Sequence, residues 1–135
     1  MKTVYLASQW LVWVLGAVEA AFGVMFWTGH GLSVYKPALL IGAVFVLSLW
    51  LLTAICARAG ASTGVVTAGL VCGVFFAGLG LFQWNTLPDT PHWIVRAVHA
   101  LLALGGIGVG SELVASANPR KLEWPDQRTP PVGAQ

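Results

Sequence analysis

Glu19, Arg96 and His99 stand inside long apolar stretches, where an ionisable side chain must face either a partner or a cavity. Leaving such a group unsupported in a membrane core costs about 2.5 to 3.5 kcal/mol on insertion scales. Glu19 lies eight residues before Trp27, at the end of one apolar stretch, and His99 lies seven residues after His92 in another. At about 1.5 Å of rise per helical residue, Glu19 sits about 12 Å inside the first stretch and His99 about 10 Å inside the last. If the two segments run in opposite directions, carboxyl and imidazole reach nearly the same depth, with Arg96 one turn above them. His30 follows the first stretch, His92 opens the last, and Lys36 precedes the second, so these three belong at the interface on the same side. On a helix with about 100° per residue, His92, Arg96 and His99 share one face, which Ala103, Gly106 and Gly110 continue inward.

The elements that must position these groups follow from composition. Of 135 residues, 57% are hydrophobic and 9% charged, with seven Trp and sixteen Gly, and the mean hydropathy is +0.78. A soluble domain carries about a quarter charged residues. The apolar residues fall in four blocks, about Tyr5 to Trp27, Pro37 to Ala57, Thr63 to Trp84 and His92 to Ala115. Each is about 20 to 24 residues, long enough to cross a hydrocarbon core of about 30 Å, whereas barrel strands are about half that length and alternate. The fold class is therefore an all-α integral membrane protein, a four-transmembrane-helix up-down bundle over residues 1–117. Residues 118–135 form an irregular tail, rich in proline and charge.

Lys2, Arg58, Arg120, Lys121 and Arg128 outnumber Lys36 and Arg96 on the other side, so the positive-inside rule predicts both termini in the cytoplasm. This implies a multi-pass protein of a bacterial inner membrane. A signal peptide ending near Val18-Glu19-Ala20 is the competing reading of the N-terminus, but the run stays apolar to Trp27. A net charge of +2 spread over both ends excludes a nucleic-acid binder. Cys56 and Cys72, each inside an apolar block, read as inert buried thiols and make no disulfide framework. The run Gly105 to Gly110 lies within a span and follows no strand, so it is no phosphate loop.

Two accounts of the polar residues follow. The plainer one is a Glu19–Arg96 or Glu19–His99 pair locking the first helix to the fourth, or a Glu19 that keeps its proton and carries no charge. The sharper one is a binding site. Imidazole is the usual ligand of haem b, and His99 is deep enough to reach an iron, with His30 or His92 as candidate second ligands. His92, Arg96, His30 and Lys36 could then pair with the propionates, Glu19 could orient the His99 ring, and Phe26, Trp27, Phe82 and Trp93 could wall the slot. The small residues of the fourth helix would admit the flat group. Gly69, Gly73, Ala77 and Gly80 of the third read instead as a close-packing face. A metal site made of the three His alone is disfavoured by the depth of His99.

The motifs Phe26-Trp27-Thr28-Gly29-His30, Lys36-Pro37, Pro91-His92-Trp93 and Val98-His99-Ala100 resemble those of small, largely uncharacterised four-helix bacterial membrane proteins over nearly the whole chain. In architecture the chain is also similar to compact four-helix b-type cytochromes, a resemblance that implies haem b and electron transfer or haem handling. With all three His toward one face, it implies at most one haem per chain, held by a homodimer in which a ligand could be shared, and a quinone or a redox protein as partner. Glu19 as the coupling carboxylate of a small proton-coupled transporter is the alternative expectation, and an accessory subunit of a larger membrane complex is another. A catalyst in its own right is the least expected class.

Overall fold

The computed structural model describes residues 2–27, 35–86 and 93–118, with side chains described over 3–25, 36–82 and 97–118. Four helices account for nearly all of them: α1 (Lys2–Trp27), α2 (Tyr35–Arg58), α3 (Thr63–Thr86) and α4 (Trp93–Ser116). Each is long and apolar enough to cross a membrane, as a multi-pass membrane protein requires, and the four pack as a four-helix bundle. In hydrocarbon a helix is the one open-ended structure that satisfies its own backbone, and nothing in these segments opposes it. Pro37, at the third residue of α2, falls in the first turn, where its missing N–H is harmless. The helices overrun the apolar blocks by one to three residues at most ends, since hydropathy marks the edge of the hydrocarbon and not the last hydrogen-bonded turn.

The link between α2 and α3 is a Schellman turn. Ala61 N–H donates to Cys56 O at 2.9 Å and Gly60 N–H to Ala57 O at 3.1 Å, with Gly60 at φ 85°, a left-handed conformation that a side chain would strain. Arg58 in the last turn of α2 complements the exposed carbonyls there. Asn118 N–H donates to Ala59 O at 3.1 Å, which ties the end of α4 to the same turn.

Each helix packs on two neighbours in the order α1, α2, α3, α4 and back to α1, and α2 also touches α4 across the centre. Between membrane helices there is little hydrophobic drive, so close approach through small residues supplies the dispersion energy. The α1–α4 seam is a close fit along its length. A Cβ on Gly23 would stand 2.8 Å from Ala100 Cβ, one on Gly16 2.6 Å from Ile107 Cγ1, and one on Gly110 2.9 Å from Val12 Cγ1. Phe45 of α2, wholly buried, fills the remaining space, its ring edge 2.6 Å from where a Gly106 Cβ would lie.

This corrects one expectation. The small-residue face of α4 at Ala103, Gly106 and Gly110 is not a slot for a flat guest, because Phe45 and Val12 reach across from α2 and α1 and occupy it. The α3 face is only partly the close-packing surface expected. Gly69 lies against Thr53 and Gly73 against the Trp50 indole, whose Nε1–H donates to Leu70 O at 3.3 Å. Farther from the Gly60 turn, a Cβ on Gly80 would meet nothing nearer than Leu39 at 3.8 Å. The α2–α3 seam is thus tight at the turn and loose at its other end.

Gly23→Ala should push α1 from α4 and lower stability by about 1 to 3 kcal/mol, the usual cost of overpacking. Gly108→Ala, where a Cβ meets nothing within 4 Å, should be neutral. Unfolding of both variants in detergent checks this, and equal stability of the two would contradict the close α1–α4 fit.

Candidate functional site

Small residues on α1 set Glu19 in place. Gly16 and Gly23, three residues before it and four after, hold α1 against α4, so the carboxyl group enters the interior directly opposite His99. His99 Nε2 and Glu19 Oε2 are 2.9 Å apart. Glu19 is 0% and His99 7% exposed, so the bond lies out of reach of water. It is the one ion pair or side chain to side chain hydrogen bond in the interior among the described residues, and it joins the first helix to the last.

The proton balance of this pair has a consequence that does not depend on where the shared proton rests. Three arrangements carry no net charge: a carboxylic acid donating to a neutral imidazole, a carboxylate accepting from an imidazolium, and a carboxylic acid whose carbonyl oxygen accepts from Nε2–H while its hydrogen sits on Oε1. The first two differ by one proton shift along the 2.9 Å bond and leave a hydrogen on His99 Nδ1. The third leaves Nδ1 bare and puts the free hydrogen on Oε1. Yet Nδ1 has no hydrogen-bond partner among the described residues, nor has Glu19 Oε1, and both atoms are buried. An unsatisfied buried donor or acceptor costs about 1 to 3 kcal/mol. The neutral pair therefore offers one unused donor and one unused acceptor, on either side of the bond that joins them.

Both face aromatic and small side chains. The Phe76 ring lies 4.6 Å from the imidazole, centroid to centroid, at 50°, and packs in turn on Phe45 at 5.1 Å. Glu19 Oε1 points at Gly42 of α2, where a Cβ would stand 3.5 Å from it and 3.2 Å from Phe76 Cε1. Gly42, Phe76 and His99 together form the inner wall of a cavity of about 460 Å³ in the loose half of the α2–α3 seam. Its other walls are apolar, including Ala43, Ala77 and Trp50, and its rim carries the exposed Leu39, Leu47 and Leu81. The cavity opens on the outer surface of the bundle, between two helices whose outer faces are hydrophobic.

Of the residues singled out in the sequence, the structure brings Glu19 and His99 together and leaves Lys36 exposed at the start of α2. His30, His92 and the Arg96, Phe26, Trp27 and Trp93 side chains lie outside the described residues. Phe82 is 54% exposed and walls no interior slot. Cys56 is buried, and half-buried Cys72 directs its Sγ toward Leu102 O at 3.8 Å, both apart from the pair. Gly42, Phe76 and Trp50 escaped the sequence reading. The available signal was the cluster of small residues Ala38, Gly42 and Ala43 on α2, facing Ala77 and Gly80 on α3.

These residues do not fit a haem held by His99. The unhindered nitrogen, Nε2, is engaged by Glu19. The free one, Nδ1, adjoins the ring carbon that bears Cβ, so a macrocycle seated on it would strike the side chain's own stem. The α4 face that was to receive the ring is filled by Phe45. No group of three His, Cys, Asp or Glu able to hold a metal ion occurs among the described residues.

Removing one member of a buried pair strands the other. Glu19→Leu and His99→Phe should each cost about 3 to 5 kcal/mol, while the double variant should recover most of that loss. A denaturation cycle in detergent measures the coupling, and additive losses would show that the pair contributes nothing as a pair.

Comparison with protein-family profiles, curated protein sequences and solved structures found no match for this chain.

Proposed function

We propose that this membrane protein takes a lipid-borne ligand from the side, into the cavity between α2 and α3, and exchanges a proton with it through Glu19 and His99. One observation carries the reading: His99, the only ionisable side chain on the cavity wall among the described residues, is hydrogen-bonded to a wholly buried carboxyl group. Ionisable groups at such depth mark proton relays and substrate sites more often than structural bonds. Structural pairs also leave fewer loose ends than the two unpartnered atoms found here.

Lateral exchange is favoured over passage through the bundle. From the pair toward the Gly60 turn, the interior is filled by Val12, Phe45, Leu49, Leu52 and Leu113, all fully buried. The cavity, by contrast, meets the outer apolar surface directly. The proton step needs little rearrangement inside the pair. A ligand oxygen that takes the Nδ1 proton draws the proton of Glu19 to Nε2, and one that returns a proton to Nδ1 drives the shift back. Nδ1 is buried, so the side chains around it, the tilted Phe76 ring among the nearest to the imidazole, must give way for a ligand to touch it.

The test uses a long-chain alkylphenol, a neutral amphiphile with one hydroxyl, added to the protein in detergent. Infrared difference spectra should show a carboxyl band that changes on addition and disappears in Glu19→Gln. Ala43→Phe, which fills the cavity mouth from an exposed position, should abolish the change while leaving the helical spectrum intact. No band change in the wild type, or the same change with the mouth filled, would overturn the reading.

A further inference from the structure

We infer that the ligand of the α2–α3 cavity is the ring of a lipid-soluble quinone or its quinol, seated with one ring oxygen toward the Glu19–His99 pair; this rests on the function proposed above and narrows it. Four features of the site select that chemistry.

First, the ligand is neutral. Glu19 and His99 balance each other, and no other ionisable side chain lines the cavity among the described residues. A fatty-acid carboxylate or a phospholipid headgroup would bring an uncompensated charge into an apolar wall, at a cost of several kcal/mol.

Second, the unused polar atom of the residue that lines the cavity is His99 Nδ1, one proton shift from Glu19. A quinone carbonyl accepts from it when it carries a hydrogen, and a quinol hydroxyl donates to it when it does not. One ring oxygen thus answers one nitrogen in both of its states. A sterol or a fatty alcohol, whose single hydroxyl never becomes a carbonyl, does not call for a pair able to reverse its proton.

Third, the walls suit a flat ring. Trp50 and Phe76 flank the space, and Gly42, Ala43, Ala77 and Gly80 leave it clear of side chains. Aromatic faces add about 0.5 to 1.5 kcal/mol to a stacked ring beyond the area it buries.

Fourth, the depth and the opening match a molecule that lives in the bilayer. His99 is six residues inside the start of α4, about 9 Å from that end, deeper than the polar headgroup of an anchored lipid lies. The exposed leucines at the rim let an isoprenoid tail stay in the hydrocarbon while the ring enters. The inference concerns binding and the hydrogen bond at one ring oxygen, and it includes no transfer of electrons.

A short-chain ubiquinone labelled with carbon-13 at its two carbonyls tests this in detergent-solubilised protein. On binding, one labelled carbonyl stretch should move to lower frequency, as expected of an oxygen hydrogen-bonded at Nδ1, while the other stays where it is in empty micelles. The shift should be absent in His99→Phe. It should also vanish in Ala43→Phe, with binding weaker by about tenfold or more. Because His99→Phe loses a buried partner, the mouth variant keeps the test decisive if that protein unfolds. Two unshifted carbonyl bands, beside an alkylphenol that still perturbs the Glu19 band, would overturn the quinone assignment and leave the lateral proton exchange standing. Failure of both probes would overturn both.

Discussion

A carboxyl group and an imidazole that meet beyond the reach of water constrain nearly everything else in this bundle. Either alone, charged, would carry a solvation loss that no neighbouring apolar contact makes good. Together they form a neutral unit, and the bundle must hold them within 3 Å or so for that unit to exist. The glycines around Glu19 are explained by this requirement. Gly16 and Gly23 bring α1 onto α4 closely enough that a short side chain from one helix meets a ring from the other. The bond also sets the axial register of the two helices, since a slide of one residue would move the partners about 1.5 Å apart and turn them away from each other.

The same closeness decides where space is left over. Where α1 and α4 touch through small residues, Phe45 enters from α2 and closes the centre. Where α2 and α3 meet, Thr53 and Trp50 fill the half nearer the Gly60 turn, and beyond them Ala38, Gly42 and Ala43 of α2 leave a gap with Leu39 and Leu47 only at its rim. Site and cavity are therefore two results of one arrangement. The pair needs a tight seam on one side of the bundle, and with only four helices the side chains that seal it are no longer free to seal the opposite seam.

Much of this was legible in the residues. Four spans, and the equal depth of Glu19 and His99, came from counting helical rise inward from Trp27 and His92, because rise per residue is the most constant quantity a helix has. The cavity was not legible. Gly106 on α4 and Gly80 on α3 look alike in a sequence, and what separates them is whether a bulky residue of another helix points at them. Phe45 points at Gly106, while no large side chain crowds Gly80. That is a property of pairs of helices and their rotation, which one helix's spacing does not reveal. The expectation of a macrocycle along α4 failed for this reason. Phe76 and Gly42 were missed for a related one, since neither is polar and each matters only through what it covers.

The Schellman turn and the Asn118–Ala59 hydrogen bond fasten three of the four helices together at one end. At the far end small residues of α2 and α3 face one another across the cavity. The bundle is thus built like a clothes-peg: its spring is the turn, and its jaws are the halves of α2 and α3 farthest from it. A small angular spread about the fixed end widens the jaws most where the gap already lies. Admission of a bulky guest and retention of the closed core are compatible because they are assigned to opposite ends of the same lever.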